Sequence, residues 1–346
     1  MKIVVRGTNW IGDAAMSVPA LRRLRQAFPS ASITLHTRSW AEGVFQDADF
    51  IDKILLIDDG GSRVGSVIAQ TAALRRERFD LALLFPNSFE SALVARLANV
   101  SQSIGYAGEG RGRFLTHAIP RPEWKDTRHE AFYYLNLADT ASKRFGGLDV
   151  TGSTPDAWLP VSAIRQQKAR EFLADHGIDL SRRRIAIAAG SKNSRAKRWL
   201  PESYTLLADR FASELSANIV LVGASDETEI SALVAQQANA SLIDLTGKTN
   251  LAEAAAVLSV CDLLVANDMG LAHLASAAGT PTVVIFGPTN HLTTAPFGSN
   301  AAVARVDVEC SPCMLRDCPI DHRCMTRLSV DDVFQKAARM IDSTGI

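Results

Sequence analysis

The sequence predicts an α/β protein of two doubly wound, Rossmann-like domains with an interdomain cleft. Three observations carry that prediction. Short apolar runs alternate with longer helical patterns along most of the chain, as βα units around parallel sheets do. The 346 residues are more than twice the ~150 residues of an ordinary domain. Residues 146–162, rich in Gly, Pro, Ser and Thr, have the composition of a linker, and the alternation restarts after them. The expected division is 1–155, 156–328 and a closing helix over 329–346.

In the first half, Ile3-Val4-Val5 marks a strand over 2–6, and the apolar spacing that follows marks a helix over 13–27. Further apolar runs give strands at 33–37, 53–57 and 81–85, with helices near Trp40 and over 64–77 and 89–97. A glycine- and arginine-rich stretch from Ser103 through Arg113 reads as a loop, and a helix follows over 129–144. After the linker, strands fall at 184–188, 219–222, 241–244, 262–266 and 282–285. The helices between and after them fall at 165–176, 202–215, 227–237, 251–260 and 329–341, with another opening at Gly270.

Composition narrows the function. Lys plus Arg and Asp plus Glu balance at 37 each, and the aromatics are not interleaved with basic residues, which argues against general nucleic-acid binding. No apolar run reaches the ~18 residues of a membrane-spanning helix. The N-terminus enters the first strand without signal-peptide regions, so a reducing, cytoplasmic setting is expected, without stable disulfides.

Three loops follow strands, where ligands bind in such sheets. Gly7-Thr-Asn-Trp-Ile-Gly12-Asp13 is not the G-x-G-x-x-G of a nicotinamide site. Asp13 is either a first-turn acid that favours the helix dipole or a general base that takes a proton from an attacking hydroxyl. Ala189-Gly-Ser-Lys-Asn-Ser-Arg-Ala-Lys-Arg198 is either a solvated basic loop or a seat for a diphosphate leaving group. In the second case Lys192, Arg195, Lys197 and Arg198 would stabilise developing charge. Val265-Ala-Asn-Asp-Met-Gly-Leu-Ala-His273 takes a strand through a polar turn into a helix start, which suits a diphosphate. There Asp268 would cap the helix or hold a sugar hydroxyl, Gly270 would admit the ligand, and His273 would point back toward the site. Together the loops suit a nucleotide-sugar.

Gly7-Thr-Asn-Trp-Ile-Gly-Asp-Ala-Ala-Met-Ser17, Leu84-Phe-Pro-Asn-Ser-Phe-Glu-Ser-Ala-Leu93, Ala196-Lys-Arg-Trp-Leu-Pro201 and Asn267-Asp-Met-Gly-Leu-Ala-His273 resemble, in order, motifs of the bacterial lipopolysaccharide heptosyltransferases, glycosyltransferase family 9. The resemblance spans nearly the whole chain. It implies a GT-B fold and ADP-L-glycero-D-manno-heptose as donor. It also implies inversion at the anomeric carbon, no cofactor and no catalytic metal. Matching positions make Asp13 the base and Lys197 a phosphate contact. Asp268 would meet the heptose, Gly270 and His273 the donor near its phosphates, and Ser191, Glu227 and Thr249 other parts of the donor. Met269 stands where the family often has Ser or Thr, so one hydroxyl contact, worth on the order of 1 kcal/mol, is lost and weaker donor binding is expected.

The Asn87-Ser88-Phe-Glu-Ser-Ala segment favours transfer of the second inner-core heptose over the first. The acceptor implied is heptosyl-Kdo2-lipid A, held in part by Asn87 and Ser88, with peripheral contact at the cytoplasmic face of the inner membrane. Arg111 and Arg113, near Lys125 and Arg128, would hold its carboxylates or phosphates, or else form a solvated basic loop. The alternatives are transfer of the first heptose to Kdo2-lipid A, a nucleotide-sugar epimerase on the same fold, and a non-catalytic sugar-nucleotide binder. A dehydrogenase lacks its glycine fingerprint. Cys310, Cys313, Cys318 and Cys324, with His322, do not have the spacing of a zinc-finger array. Free thiols, a disulfide and a structural metal remain open there, and Cys261 reads as core.

Overall fold

The computed structural model describes residues 1–57, 61–108, 110–192 and 194–343. Glu109 of the expected arginine loop, Asn193 of the expected basic loop and residues 344–346 of the closing segment lie outside them. The chain divides into two compact units, Met1–Ala157 and Trp158–Ile346.

The first unit contains strands β1 (Lys2–Arg6), β2 (Ser32–Thr37), β3 (Lys53–Leu56), β4 (Leu81–Leu84), β5 (Gln102–Tyr106) and β6 (His117–Ile119). They form one parallel sheet in the order β3-β2-β1-β4-β5-β6. The second unit contains β7 (Arg184–Ala188), β8 (Asn218–Leu221), β9 (Leu242–Asp244), β10 (Leu263–Asn267), β11 (Thr282–Ile285) and β12 (Ala301–Ala304). These too are parallel, in the order β12-β11-β10-β7-β8-β9. Read from each unit's own first strand, the two orders are the same. Each chain winds outward, returns to the middle, and winds the other way. The carboxyl ends of β1 and β4, and of β7 and β10, therefore flank the switch points where such sheets hold ligands.

The central strands are apolar throughout because helices cover both sheet faces. Ile3, Val4 and Val5 in β1 are buried, as is every residue of β10. The second core gathers Ile185, Ile187, Trp199, Phe211 and Val265, and the helix Val330–Ser343 adds Val333, Phe334, Ala337 and Ile341 to it. Burial of each large side chain contributes roughly 1.5–3 kcal/mol, so this closing helix is part of the second unit's core. Among the described residues no helix is long and apolar enough to cross a membrane.

Some elements differ from expectation. The helix expected over 13–27 is two, Ile11–Met16 and Val18–Ala27, broken at Ser17, whose hydroxyl donates to Ala14 O at 2.8 Å. Pro19 in the second helix's first turn has no N–H to continue the ladder. The stretch expected to be loop from Ser103 contains most of β5, and its Gly105 makes room for a side chain rather than a turn. A Cβ there would lie 3.2 Å from Arg111 Nη2. The short strands β6 and β12 were not expected.

Candidate active site

In the first unit, β1 delivers Gly7–Trp10 to the carboxyl edge, and the helix Ile11–Met16 begins there with Asp13 in its first turn. Arg6 is buried, and its guanidinium donates to Gly7 O and, at 2.9 Å, to Asn9 Oδ1, bracing the loop from below. Burial, then the neighbouring Arg38, brings Arg6 down to about 10, so it stays charged at neutral pH. Its partner across the β1–β2 register, His36, is pushed down to about 3 by burial and then by Arg6, and is neutral.

Above this floor is a cavity of about 220 Å³. Asp13, Glu130, Tyr133 and Tyr134 line it, Trp10 stands at its edge, and Asn87 enters from the loop after β4. The Tyr134 hydroxyl donates to Asp13 Oδ1 at 3.5 Å. Burial, then the Asp13 and Glu130 charges, raises Tyr134 far above its ordinary range, so it keeps its proton. Glu130 pairs with Lys125, whose ammonium lies 4.7 Å from the centre of the Tyr133 ring. The arrangement offers a carboxylate that can accept a proton, held by a tyrosine that cannot compete for it.

The acceptor-side residues separate on inspection. Asn87 is exposed at the cavity. Ser88 is also exposed, but its hydroxyl caps the helix Phe89–Leu97 by accepting from Ser91 N at 3.3 Å. Arg113 is exposed, whereas Arg111 is fully buried. Arg111 donates to Asn87 Oδ1 at 3.3 Å, Tyr106 O at 3.2 Å and Ser91 Oγ at 3.4 Å. It is thus not a surface cation, because the 3-10 turn Arg111–Phe114 feeds it beneath β5 into the space left at Gly105.

In the second unit, the loop after β7 and the loop after β10 are tied together by Asn267. Its amide donates to Ala189 O at 2.8 Å and Gly190 O at 3.0 Å, and its oxygen accepts from Trp199 N and the Tyr204 hydroxyl. This fully satisfied buried amide fixes the next residue, Asp268, at the switch point. Asp268 is 6% exposed and accepts from Lys197 Nζ at 2.7 Å and from Thr289 Oγ1 at 2.7 Å on the same oxygen. Its other oxygen lies 4.0 Å from His273 Nε2. Asp268 is therefore not the helix cap. Met269 occupies the cap position of Gly270–Ala277 and makes no side-chain cap bond.

Glu227 is the deepest acid of this edge, at 4% exposure. One of its oxygens accepts from Ala224 N at 3.0 Å, and Oε1 has no partner among the described residues. Burial raises its carboxyl above the ordinary 4.5. Two glycines exist for it: a Cβ on Gly190 would stand 2.2 Å from Oε1, and one on Gly223 would stand 3.0 Å from Oε2. Ser191 is buried, its carbonyl accepting from Arg198 at 3.0 Å. Thr249 lies half-buried in the turn after β9, and Gly247 N in that turn donates to Gly223 O at 2.9 Å.

The basic loop also divides. Lys192 and Arg195 are exposed and paired with Asp226 and Asp317, each at 2.7 Å, while Lys197 turns inward to Asp268. The cysteine segment braces that inward turn. Ala196 N donates to Arg316 O at 2.9 Å, and His322 Nε2 meets Ala196 O at 2.7 Å. All five cysteines are free thiols. Burial, then neighbouring Cys310, Cys318 and Cys313, pushes Cys324 up to about 11, so its thiol is protonated at neutral pH. Residues that sequence reasoning missed are Tyr133, Tyr134 and Glu130 beside Asp13, and Asn267 and Thr289 beside Asp268. Asn267 carried a signal as the polar end of an apolar strand, and Thr289 as the end of the turn Phe286-Gly-Pro-Thr289 after the next strand.

Comparison with known proteins identifies the family and the fold. The model of glycosyltransferase family 9 (heptosyltransferase) matches residues 67–323, more than half of the chain. Lipopolysaccharide heptosyltransferase 2 of Salmonella typhimurium is 28% identical over 316 residues, 88% of each chain. The structure of E. coli ADP-heptose LPS heptosyltransferase II superimposes with a TM-score of 0.84 at 24% identity, covering 100% of both chains. A glycosyltransferase family 9 structure from Veillonella parvula gives a TM-score of 0.86 at 24% identity, covering 99% of this chain and 97% of that one. The fold is thus GT-B.

Proposed function

The chain belongs to glycosyltransferase family 9, and we propose that it moves L-glycero-D-manno-heptose from ADP-heptose to the first heptose of heptosyl-Kdo2-lipid A, with inversion. The observation that carries this reading is the Lys197–Asp268 pair at the start of Gly270–Ala277, where a diphosphate leaving group needs positive charge. Lys197 spends two of its three ammonium hydrogens on Asp268, at 2.7 and 3.4 Å, and keeps one for a phosphate oxygen. The first-turn N–H groups at Gly270 are not consumed by a side-chain cap and face the same way.

In the reaction, a hydroxyl oxygen of the acceptor heptose bonds to the donor's anomeric carbon as the carbon–oxygen bond to ADP breaks. Asp13 takes the hydroxyl proton, and Tyr134 keeps its carboxylate aimed. The leaving electron pair goes to the diphosphate beside Lys197. The buried Glu227 oxygen without a partner among the described residues suits a sugar hydroxyl of the donor as its hydrogen-bond donor. His273, Ser191 and Thr249 are read as further donor contacts, and Asn87, Ser88 and Arg113 as acceptor contacts. We read contact with the inner membrane as peripheral and cytoplasmic. Val64 and Ile68, exposed on the helix Arg63–Glu77 that also carries Arg63, Arg75 and Arg76, support it.

The test is transfer from ADP-heptose to heptosyl-Kdo2-lipid A, with Kdo2-lipid A as control. Product with the heptosylated acceptor alone is expected. Product with Kdo2-lipid A would move the assignment to the first heptose, and product with neither would refute heptose transfer to this core.

A further inference from the structure

Arg111 is a cation with no surface exposure, and every partner it has among the described residues is neutral: Asn87 Oδ1, Tyr106 O and Ser91 Oγ. An arginine can only donate. The atom of Asn87 that faces it must therefore be the oxygen, since the reverse flip would set N–H against N–H. That fixes the amide nitrogen toward Tyr133, where Nδ2 lies 3.0 Å from the hydroxyl oxygen. The Tyr133 oxygen then accepts from Asn87, and its own proton has no acceptor among the described residues. The Tyr133 ring cannot turn away, because it stacks on Tyr106 with centroids 3.9 Å apart, and its backbone carbonyl accepts from the Tyr106 hydroxyl at 2.8 Å. Burial raises Tyr133 above its ordinary range, so the proton is present at neutral pH.

We propose that Arg111 is a positioning residue that sets the hydrogen-bond polarity of the acceptor cavity, making Asn87 and Tyr133 a specificity-determining pair of neutral donors opposite the acids Asp13 and Glu130. The inference rests on the acceptor reading of this cavity. One wall donates through the second Asn87 N–H and the Tyr133 O–H, and the other accepts through carboxylates. A sugar hydroxyl both donates and accepts, so neighbouring hydroxyls can bridge the walls. Lys125, whose ammonium lies over the Tyr133 ring, is already paired with Glu130. The cavity is accordingly matched to hydroxyl groups of the acceptor sugar rather than to a phosphate.

Steady-state kinetics of the full chain test this, with acceptor and donor varied separately. Tyr133→Phe removes one donor and should raise the acceptor KM about tenfold, leaving the donor KM and kcat within about twofold. Asn87→Asp is the sharper variant. An ionised carboxylate still receives Arg111, now as a counter-ion, but it also draws the Tyr133 proton, so both cavity donors vanish. Acceptor KM should rise more than tenfold while the melting temperature stays level or rises. A merely structural role for this cluster would not separate those two readouts. An unchanged acceptor KM in both variants, or equal rises in donor and acceptor KM, would overturn the polarity assignment while leaving wild-type transfer intact. A wild-type chain inactive on both acceptors would overturn the functional reading and this inference with it.

Discussion

The two units share one sheet order and one location for their site, yet the chemistry at the two switch points is opposed. Beside β1 and β4 the structure presents acids, tyrosines and an amide around a cavity, with the buried Arg6 and Arg111 both turned to neutral partners. Beside β7 and β10 it presents an inward lysine, a nearly buried aspartate and an open helix start. The fold fixes where a ligand can sit, and the loops decide whether that place accepts a proton or stabilises a leaving anion. The proposed displacement calls for a group of each kind.

The strongest way to break this comparison is to remove the acid that defines the first unit. Asp13→Asn keeps the shape and the Tyr134 contact but accepts no proton, and kcat should fall roughly 10²–10⁴-fold with little change in donor KM. A fall of less than tenfold would mean that the first unit binds without acting as base. The second unit has its own equivalent in Lys197→Ala. Loss of one fixed charge at the leaving group should cost about 10²–10³ in kcat. Because Asp268 is only 6% exposed, stranding its charge should also lower the melting temperature, which separates this variant from Asp13→Asn.

Much of this comparison was legible in the sequence. Short uninterrupted apolar runs such as Ile3-Val4-Val5 and Leu263-Leu-Val-Ala266, bounded by turns, read as strands covered on both faces, and the polar turns after them mark the carboxyl edges. The loops after those strands singled out Asp13, Lys197 and Asp268, and the resemblance narrowed the role of each. What stayed hidden has physical causes. β6 is three residues long, and β12, Ala-Ala-Val-Ala, sets a single β-branched residue, Val303, among alanines and has no aromatic to mark a strand. In β5, Gly105 looks like a turn because the sequence does not reveal the arginine packed against it. Arg111 looked like a surface cation because burial of an arginine among neutral partners is rare. Tyr133 and Tyr134 come from the helix Glu130–Phe145, more than a hundred residues from Asp13, and local pattern carries no trace of that meeting.

Glu227 sharpens the contrast within the second unit, since it is an acid whose burial outweighs the nearby Arg198 and Lys192 charges. Its carboxyl is raised in the folded chain, so folding favours its protonated form. The resulting penalty is absent below the unfolded value near 4.5 and grows as pH rises through the folded one. Glu227→Gln should therefore melt higher than wild type at neutral pH, with the gap closing toward pH 4. Its donor KM should rise roughly tenfold or more, because a charge-assisted hydrogen bond contributes about 1.5–3 kcal/mol. A variant equally stable at both pH values would show that the carboxylate carries no burial penalty.

The smallest effect concerns Met269. The sequence suggests a lost phosphate contact, and the structure adds that this residue sits at the cap of Gly270–Ala277 without capping it. Met269→Ser supplies a hydroxyl that can serve either the helix or the ligand, and the two uses compete for one group. If the hydroxyl bonds the first-turn N–H groups, stability should rise by about 1 kcal/mol and donor affinity should stay the same or fall. If it turns to the diphosphate, donor affinity should rise severalfold with stability unchanged. Thermal melting with and without ADP separates the cases, because only the second enlarges the ligand-induced shift. The second outcome is the one expected here, since the neighbouring Asp268 leaves the helix start uncapped and gives its carboxylate to Lys197. That geometry keeps the first-turn N–H groups available for an anion, and a serine hydroxyl would add one more donor to the same place.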